Sequence, residues 1–362
     1  MSRAGLGLPL LFAGLCLAMR AQADGLPAEA AFKGLHYFGA TISPHGNYLA
    51  VAAKGANGRY TVNVVNLVKR SGRSIANFGD GDVTRVMWQS EDRLVVYIGD
   101  LRPSAGGPPL ERGVVAIDQD GHDPVTLARY GVPDFVHPLD SDDILLGVTG
   151  YAGRPGHDVY RVNTRTLKET LLTPQSPGTV TSWVVDLDGV PRAAAVADRA
   201  SDRSAWYVRK NAAAPWQLVE EARFSLPPGK PMAFDSDGNT LYVLSRRSAE
   251  HSALYAYDIA SASWDGPILR HAKRDISAAF YSDFAQRRFL GISYQDERPQ
   301  YLWFDPEWAK IQKSVDAALP GRINQIEKGG DWWLVISSPA REPAEVYVLD
   351  GKSMSLQKVL SY

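Results

Sequence analysis

Short apolar stretches alternate with polar loops along almost the whole chain. Each unit has one apolar strand, then a polar loop, then a second strand in which apolar and polar residues alternate. This alternation directs successive side chains to opposite faces of a sheet. The strands are rich in Tyr, Trp and Val and poor in charge, which is typical of sheets covered on both faces. No segment shows the strand–helix alternation of a doubly wound α/β domain.

The pattern occurs seven times. The first strands of the seven units contain Leu49, Leu94, Ile144, Arg192, Leu241, Phe289 and Trp333. Their mean spacing is about 47 residues, within the range of propeller blades. Turn sequences such as Ser43-Pro44-His45-Gly46 precede several of these strands and suit tight hairpins. The sequence therefore predicts an all-β, seven-bladed β-propeller over residues 41–362, preceded by an N-terminal segment over 24–40. It leaves open whether the first and last blades exchange a strand or only pack together.

One helix is predicted between the sixth and seventh units. Asp305 is placed to cap it, Pro306 occupies the first turn, and apolar residues from Trp308 to Leu319 recur at helical spacing. Pro320-Gly321 ends the run. We expect a short helix packed on the rim of the propeller; the alternative is a helix that docks a partner.

Residues 1–23 have the pattern of a signal peptide. Arg3 is followed by an apolar run over residues 6–19 and by the A-x-A sequence Ala21-Gln22-Ala23. The run is shorter than the roughly 20 residues that span a bilayer, which argues against an uncleaved anchor. Leu15 stands before Cys16, where a lipoprotein signal requires a small residue, which argues against lipid attachment. We expect export to the periplasm or the medium, with no membrane contact after cleavage.

The composition narrows the function classes further. The 362 residues contain 39 Lys and Arg and 40 Asp and Glu, and the formal net charge of −1 gives no general attraction to nucleic acid or anionic membranes. Hydrophobic residues make up 45% of the chain, as in a packed globular protein. Cys16 is the one cysteine, which excludes disulfide frameworks and cysteine-based zinc sites.

No motif assigns a catalytic, cofactor-binding or metal-ligating residue. The sequence has no G-x-S-x-G, which a serine hydrolase elbow requires, and no phosphate-binding P-loop. Its acidic clusters at Asp80/Asp82, Asp140/Asp142/Asp143 and Asp235/Asp237 fit turn capping better than calcium binding. Trp332-Trp333 fits a core or blade-interface position better than a sugar-binding platform. The histidines form no H-x-H or H-E-x-x-H pair and are predicted to be scattered: His36, His45, His122, His137, His157, His251 and His271.

Five segments, taken in chain order, resemble exported bacterial serine peptidases of the prolyl oligopeptidase family, of the dipeptidyl- and acylaminoacyl-peptidase-like type. They are 26–32 (LPAEAAF), 42–51 (ISPHGNYLAV), 86–95 (VMWQSEDRLV), 308–324 and 337–350. The resemblance implies a propeller that covers an active site and limits access to small, unfolded peptides. The family's Ser, Asp and His lie in an α/β-hydrolase domain that no part of this sequence matches, so no catalytic residue is carried over.

Three functions follow from these observations. The first is a non-catalytic, substrate-gating propeller without a cofactor, whose partner is a peptide substrate and possibly a hydrolase domain. The second is a free-standing periplasmic propeller, similar to TolB-like modules, that binds a protein or peptide. The third is a propeller lactonase, whose chemistry requires a metal held by carboxylates and Asn at the central channel.

Overall fold

Seven antiparallel sheets follow one another along the chain. The computed structural model describes residues 37–102, 110–127, 133–154, 156–247, 250–340 and 342–360. Within these residues every sheet is built from consecutive strands; six sheets have four strands and the sixth along the chain has three. The seven-bladed β-propeller predicted from the repeat is confirmed. Its first strand begins at Tyr37, ahead of the predicted start at residue 41. The predicted signal peptide lies outside the described residues.

The strands are numbered in chain order. Blade 1 contains β1 (Tyr37–Ile42), β2 (Tyr48–Lys54), β3 (Tyr60–Asn66) and β4 (Ser71–Ala76); blade 2 contains β5 (Asp82–Trp88), β6 (Arg93–Asp100), β7 (Leu110–Asp118) and β8 (Val125–Thr126). Blade 3 contains β9 (Phe135–Pro138), β10 (Asp143–Thr149), β11 (His157–Asn163) and β12 (Glu169–Leu171). A single 3₁₀ turn, Tyr151–Gly153, precedes β11 within the described residues.

The remaining blades follow the same plan. Blade 4 contains β13 (Val180–Val185), β14 (Pro191–Asp198), β15 (Arg203–Val208) and β16 (Gln217–Arg223); blade 5 contains β17 (Lys230–Phe234), β18 (Thr240–Ser245), β19 (Ala253–Asp258) and β20 (Ser263–Leu269). Blade 6 contains β21 (Ala278–Asp283), β22 (Arg288–Gln295) and β23 (Pro299–Trp303); blade 7 contains β24 (Ile323–Gly329), β25 (Trp332–Ser338), β26 (Glu345–Asp350) and β27 (Ser355–Leu360).

The apolar strands of the sequence repeat are the second strand of each blade. Leu49, Leu94 and Leu241, which mark three of them, are at most 1% exposed. These strands are covered on both faces because each blade packs between two neighbours. The alternating strands of the repeat are the third strands, and the fourth strands are largely exposed, as in β4 and β20.

Blades 1 and 7 close the ring by packing, because within the described residues each is a complete four-stranded sheet of consecutive strands. Leu49 and Val51 of blade 1 share an apolar cluster with Leu334 and Val346 of blade 7. At the inner edge, Thr41 Oγ1 donates a 2.6 Å hydrogen bond to Glu327 Oε1. Among the described strands none is exchanged between these two sheets, so of the two arrangements that the sequence left open the structure shows packing.

A glycine contact brings the two blades close together. Gly46, in the turn between β1 and β2, has φ of 78°, in the left-handed region that favours glycine. A Cβ at this position would lie 2.3 Å from the carbonyl oxygen of Gly329 and 2.9 Å from Trp332 Cδ1. Trp332 is 38% exposed, whereas Trp333 is 2% exposed. The prediction that these tryptophans are core and blade-interface residues is confirmed: Trp333 lies in the core, and Trp332 lies at the interface with the turn of blade 1.

Buried polar side chains join neighbouring blades elsewhere in the ring. Arg93 of blade 2 is 0% exposed, and its Nη1 donates to Asp118 Oδ1 at 2.7 Å. The same guanidinium reaches blade 3, where its Nε donates to Thr164 Oγ1 at 3.0 Å and its Nη2 to the Thr164 carbonyl at 2.7 Å. A buried charge of this kind needs such a complete set of partners.

Helix α1 (Pro306–Ala318) follows the third strand of blade 6, at the place in the chain where the other blades have a fourth strand. The Asp305 side chain accepts hydrogen bonds from the backbone N–H groups of Glu307 and Trp308. Trp308 and Val315 are buried in an apolar cluster that includes Trp333 of blade 7. The predicted cap, position and packing role of the helix are confirmed. Within the described ranges no helix combines the length and apolarity needed to cross a membrane.

Candidate functional site: the central channel

The first strands of all seven blades line one central cavity of about 1140 Å³. These inner strands are β1, β5, β9, β13, β17, β21 and β24. All seven run in the same direction along the channel, so each ends at the same mouth, where a turn leads to the second strand. We call this mouth the turn mouth. Tyr37, at the start of β1, lies toward the opposite mouth.

A turn from blade 6 reaches across the channel. Residues 284–287 connect β21 to β22, and the Phe284 ring stacks on the ring of His137 in blade 3, with centroids 4.3 Å apart and an interplanar angle of 23°. His137 in turn stacks on Phe135 at 4.8 Å. Phe284 also packs beside Leu139 of blade 3 and Leu187 of blade 4. Because blades 3 and 6 are not neighbours, this aromatic stack narrows the channel at the turn mouth.

Arg85 and His137 bring basic groups to the channel from adjacent blades. Arg85, on β5, is exposed, and its guanidinium carbon lies 5.5 Å from the centre of the Tyr97 ring. Burial lowers the pKa of His137 to about 4, and the positive charge of Arg85 acts in the same direction. His137 is therefore neutral at physiological pH, while Arg85 is charged.

Three carboxyl groups, those of Asp134, Asp283 and Glu327, also line this cavity. Asp134 Oδ2 accepts a 3.0 Å hydrogen bond from Thr149 Oγ1 and lies 3.1 Å from His157 Nε2. Burial raises the pKa of Glu327 from its ordinary value of 4.5 to about 7, against the opposing effect of hydrogen bonds from Thr41 and from the backbone of Ile42. Glu327 therefore changes its charge near neutral pH.

Most residues that the sequence singled out lie apart from the channel. Asp237 accepts hydrogen bonds from the backbone of Asn239 and Thr240, and Asp82 is bound by Arg59. The histidines His122, His251 and His271 lie at separate positions, each near one aspartate. His45 lines the turn mouth with its side chain 75% exposed, and His36 lies outside the described residues. The prediction of turn-capping aspartates is confirmed at residue 237.

Sequence reasoning missed the residues that matter in the channel, namely Arg85, Phe284, Glu327 and the pairing of His137 with Arg85. No motif marks them, because each comes from a different blade. The described residues contain no group of three or more His, Cys, Asp or Glu side chains that could hold a metal ion. The lactonase alternative, which requires carboxylate ligands at the channel, receives no support from this part of the chain.

A closed ring of seven blades around a central channel, narrowed by Phe284 at the turn mouth, defines a β-propeller. The chain is homologous to dipeptidyl aminopeptidase BIII of Pseudoxanthomonas mexicana, with 24% identity over 330 residues. That match covers 88% of this chain and 46% of the relative, so the chain spans about half the length of the curated protein it matches. The resemblance to prolyl oligopeptidase-family peptidases is thereby confirmed.

Solved structures share the fold. Prolyl oligopeptidase B from Galerina marginata superposes with a TM-score of 0.50 at 11% identity, over 90% of this chain and 50% of that one. One of two prolyl endopeptidases studied for inter-domain dynamics gives a TM-score of 0.50 at 15% identity, again over 90% of this chain and 50% of the other. No protein-family model matches the sequence.

Proposed function

We propose that this chain is the substrate-gating propeller of a serine peptidase, which admits short, unfolded peptides toward a hydrolase domain and excludes folded proteins. The observation that carries the proposal is the central cavity of about 1140 Å³, enclosed by seven blades and narrowed by Phe284. Pockets of roughly 300–1,000 Å³ hold single small ligands. A cavity only slightly larger holds a few residues of extended peptide, and no folded domain fits inside it.

The homology supports the same proposal. The matching relative is a dipeptidyl aminopeptidase, and the match covers 46% of its length. The sequence has no G-x-S-x-G, so in this proposal the nucleophile comes from a hydrolase domain, and the propeller itself binds and selects. Export through residues 1–23 is part of the proposal, because it would place the module where peptides from outside the cell arrive.

The test uses the purified chain with N-acetylated peptides of three, six and thirty residues and with one small folded protein. Fluorescence anisotropy measures binding, while a fluorophosphonate probe and a chromogenic dipeptide substrate report serine reactivity and turnover. We expect saturable binding of the two short peptides, weak binding of the longest, none of the folded protein, and neither labelling nor turnover. A labelled serine with turnover would overturn the non-catalytic assignment.

The second function from the sequence, a free-standing propeller for a protein partner, predicts a different result, which is measured with the chain immobilised. One folded envelope protein would bind saturably to the immobilised chain, and the short peptides would show no affinity. That outcome would replace the gating proposal.

A further inference from the structure

Arg85 is a cation in the channel for which no described residue provides a counter-ion. Within the described ranges its guanidinium makes no ion pair, although it is exposed to the cavity. Its contact with the face of the Tyr97 ring, at 5.5 Å, orients the planar group without using its N–H donors. The donors along the edge of the guanidinium are therefore left to a ligand.

The other charged side chains that line the cavity already have partners. The pairs are Asp134 with Thr149 and His157, Asp283 with the backbone N–H of Gln286, Glu327 with Thr41, Lys328 with Glu307, and, at the turn mouth, His45 with Glu91. None of these carboxylates forms an ion pair with Arg85 among the described residues. Because an unpaired guanidinium attracts an opposite charge, an anionic ligand is favoured next to Arg85.

His137 supplies a second donor and a fixed surface beside Arg85. Its ring lies between Phe135 and Phe284, with centroid distances of 4.8 and 4.3 Å, so its position is set by two aromatic contacts. The nitrogen atoms lie in the plane of the ring, and the neutral form has one N–H donor. The stack is also an apolar surface against which a side chain of a bound peptide can pack.

We propose that Arg85 and His137 bind a carboxylate of a peptide in the channel, with the stack of Phe135, His137 and Phe284 holding the neighbouring side chain. The planar guanidinium fork matches the two oxygens of a carboxylate. This inference deepens the proposed gating function and rests on it, since it requires that peptides enter the channel. The carboxylate comes either from the C-terminus of the peptide or from an Asp or Glu side chain, and the two sources share this chemistry.

The test compares three peptides by isothermal titration calorimetry: N-acetyl-Ala-Ala-Phe as the free acid, the same peptide as its C-terminal amide, and N-acetyl-Ala-Asp-Phe amide. The proteins are the wild type, Arg85→Gln, and the matched control Arg223→Gln, which changes an exposed arginine on the outermost strand of blade 4. For the wild type we expect the free acid to bind at least about tenfold more tightly than the amide, because a hydrogen bond to a charged group contributes this much to affinity. Arg85→Gln should bring this ratio close to one, and Arg223→Gln should leave it unchanged.

The aspartate-containing amide identifies the source of the carboxylate. If it binds as tightly as the acid, a side-chain carboxylate suffices. If it binds as weakly as the plain amide, the C-terminal carboxylate is required. A salt titration of the wild type needs no variant. Added salt should weaken binding of the free-acid peptide and leave binding of the amide unchanged, because salt screens the charge of the carboxylate. Equal binding of acid and amide to the wild type, or a ratio that survives in Arg85→Gln, would overturn this inference alone. Absence of binding by all three peptides would overturn the gating function as well.

Discussion

The carboxyl group of Glu327, at the junction where blades 1 and 7 close the ring, predicts a pH-dependent stability. Burial raises its pKa to about 7, and Thr41 Oγ1 donates to it at 2.6 Å. The folded propeller therefore keeps this proton more strongly than the unfolded chain does. We expect Glu327→Gln, which keeps the shape and a hydrogen-bonding oxygen, to make the propeller more stable at pH 8 and to change little at pH 5.

The size of the effect follows from the two pKa values. Between pH 4.5 and about 7 the folded state binds more protons at this site than the unfolded state, so the free energy of unfolding falls as the pH rises through that window. Above about pH 7 this pKa shift lowers the free energy of unfolding by about 3 kcal/mol relative to its value at low pH. Glutamine cannot ionise, so the variant escapes this loss.

Urea unfolding followed by tryptophan fluorescence at pH 5, 6, 7 and 8 measures the difference directly. The matched control is Glu297→Gln, at an exposed glutamate in the turn between β22 and β23, which should follow the wild type at every pH. Parallel pH profiles for the wild type and Glu327→Gln, or a variant less stable at pH 8, would show that this carboxyl group does not carry the predicted penalty.

Three further changes test other parts of the structure. Arg93→Ala removes the buried link between blades 2 and 3 and should lower the free energy of unfolding by about 3 kcal/mol or more in urea titrations; a loss under 1 kcal/mol would mean that the link contributes little. Asp305→Ala removes the cap of α1 and should cost about 1 kcal/mol in the same assay, whereas an unchanged midpoint would contradict the capping role. Phe284→Ala opens the turn mouth and should tighten binding of a thirty-residue peptide in anisotropy titrations, while unchanged binding would show that Phe284 does not restrict the channel.

The sequence predicts the second and third strands of each blade because both obey simple patterns. The second strand of blade 1 is continuously apolar, and it pairs with the third strand without a register shift, from Tyr48 opposite Asn66 to Lys54 opposite Tyr60. Alternation of side chains therefore holds across the pair and is visible in the sequence. The helix was predictable for the same reason, since Asp305, Pro306 and the apolar spacing act locally.

The inner strands were not predicted because bulges interrupt the alternation of their side chains. Five of them carry a register shift against the second strand, for example between Val83 and Arg85 in blade 2 and between Tyr281 and Ser282 in blade 6. A bulge disrupts the two-residue period on which a strand prediction depends. These are the strands that line the channel, so the part of the molecule with the least regular pattern is also the candidate site.

The channel residues could not be grouped from the sequence for a second reason. Arg85, His137 and Phe284 come from blades 2, 3 and 6, and only closure of the ring brings them together. Closure itself depends on contacts between the two ends of the propeller, such as Thr41 with Glu327. No local sequence pattern indicates a contact between residues so far apart in the chain.

Photo-crosslinking tests most directly whether peptides occupy the channel. N-acetyl-Ala-Ala-benzoylphenylalanine is bound to the purified chain, irradiated, and located by peptide mass spectrometry, with excess unlabelled N-acetyl-Ala-Ala-Phe as competitor. We predict competitor-sensitive crosslinks on the inner strands β5 and β9 and in the turn of residues 284–287. Crosslinks confined to the outer strands β4, β16 and β20, or to the exposed face of α1, would contradict the gating channel.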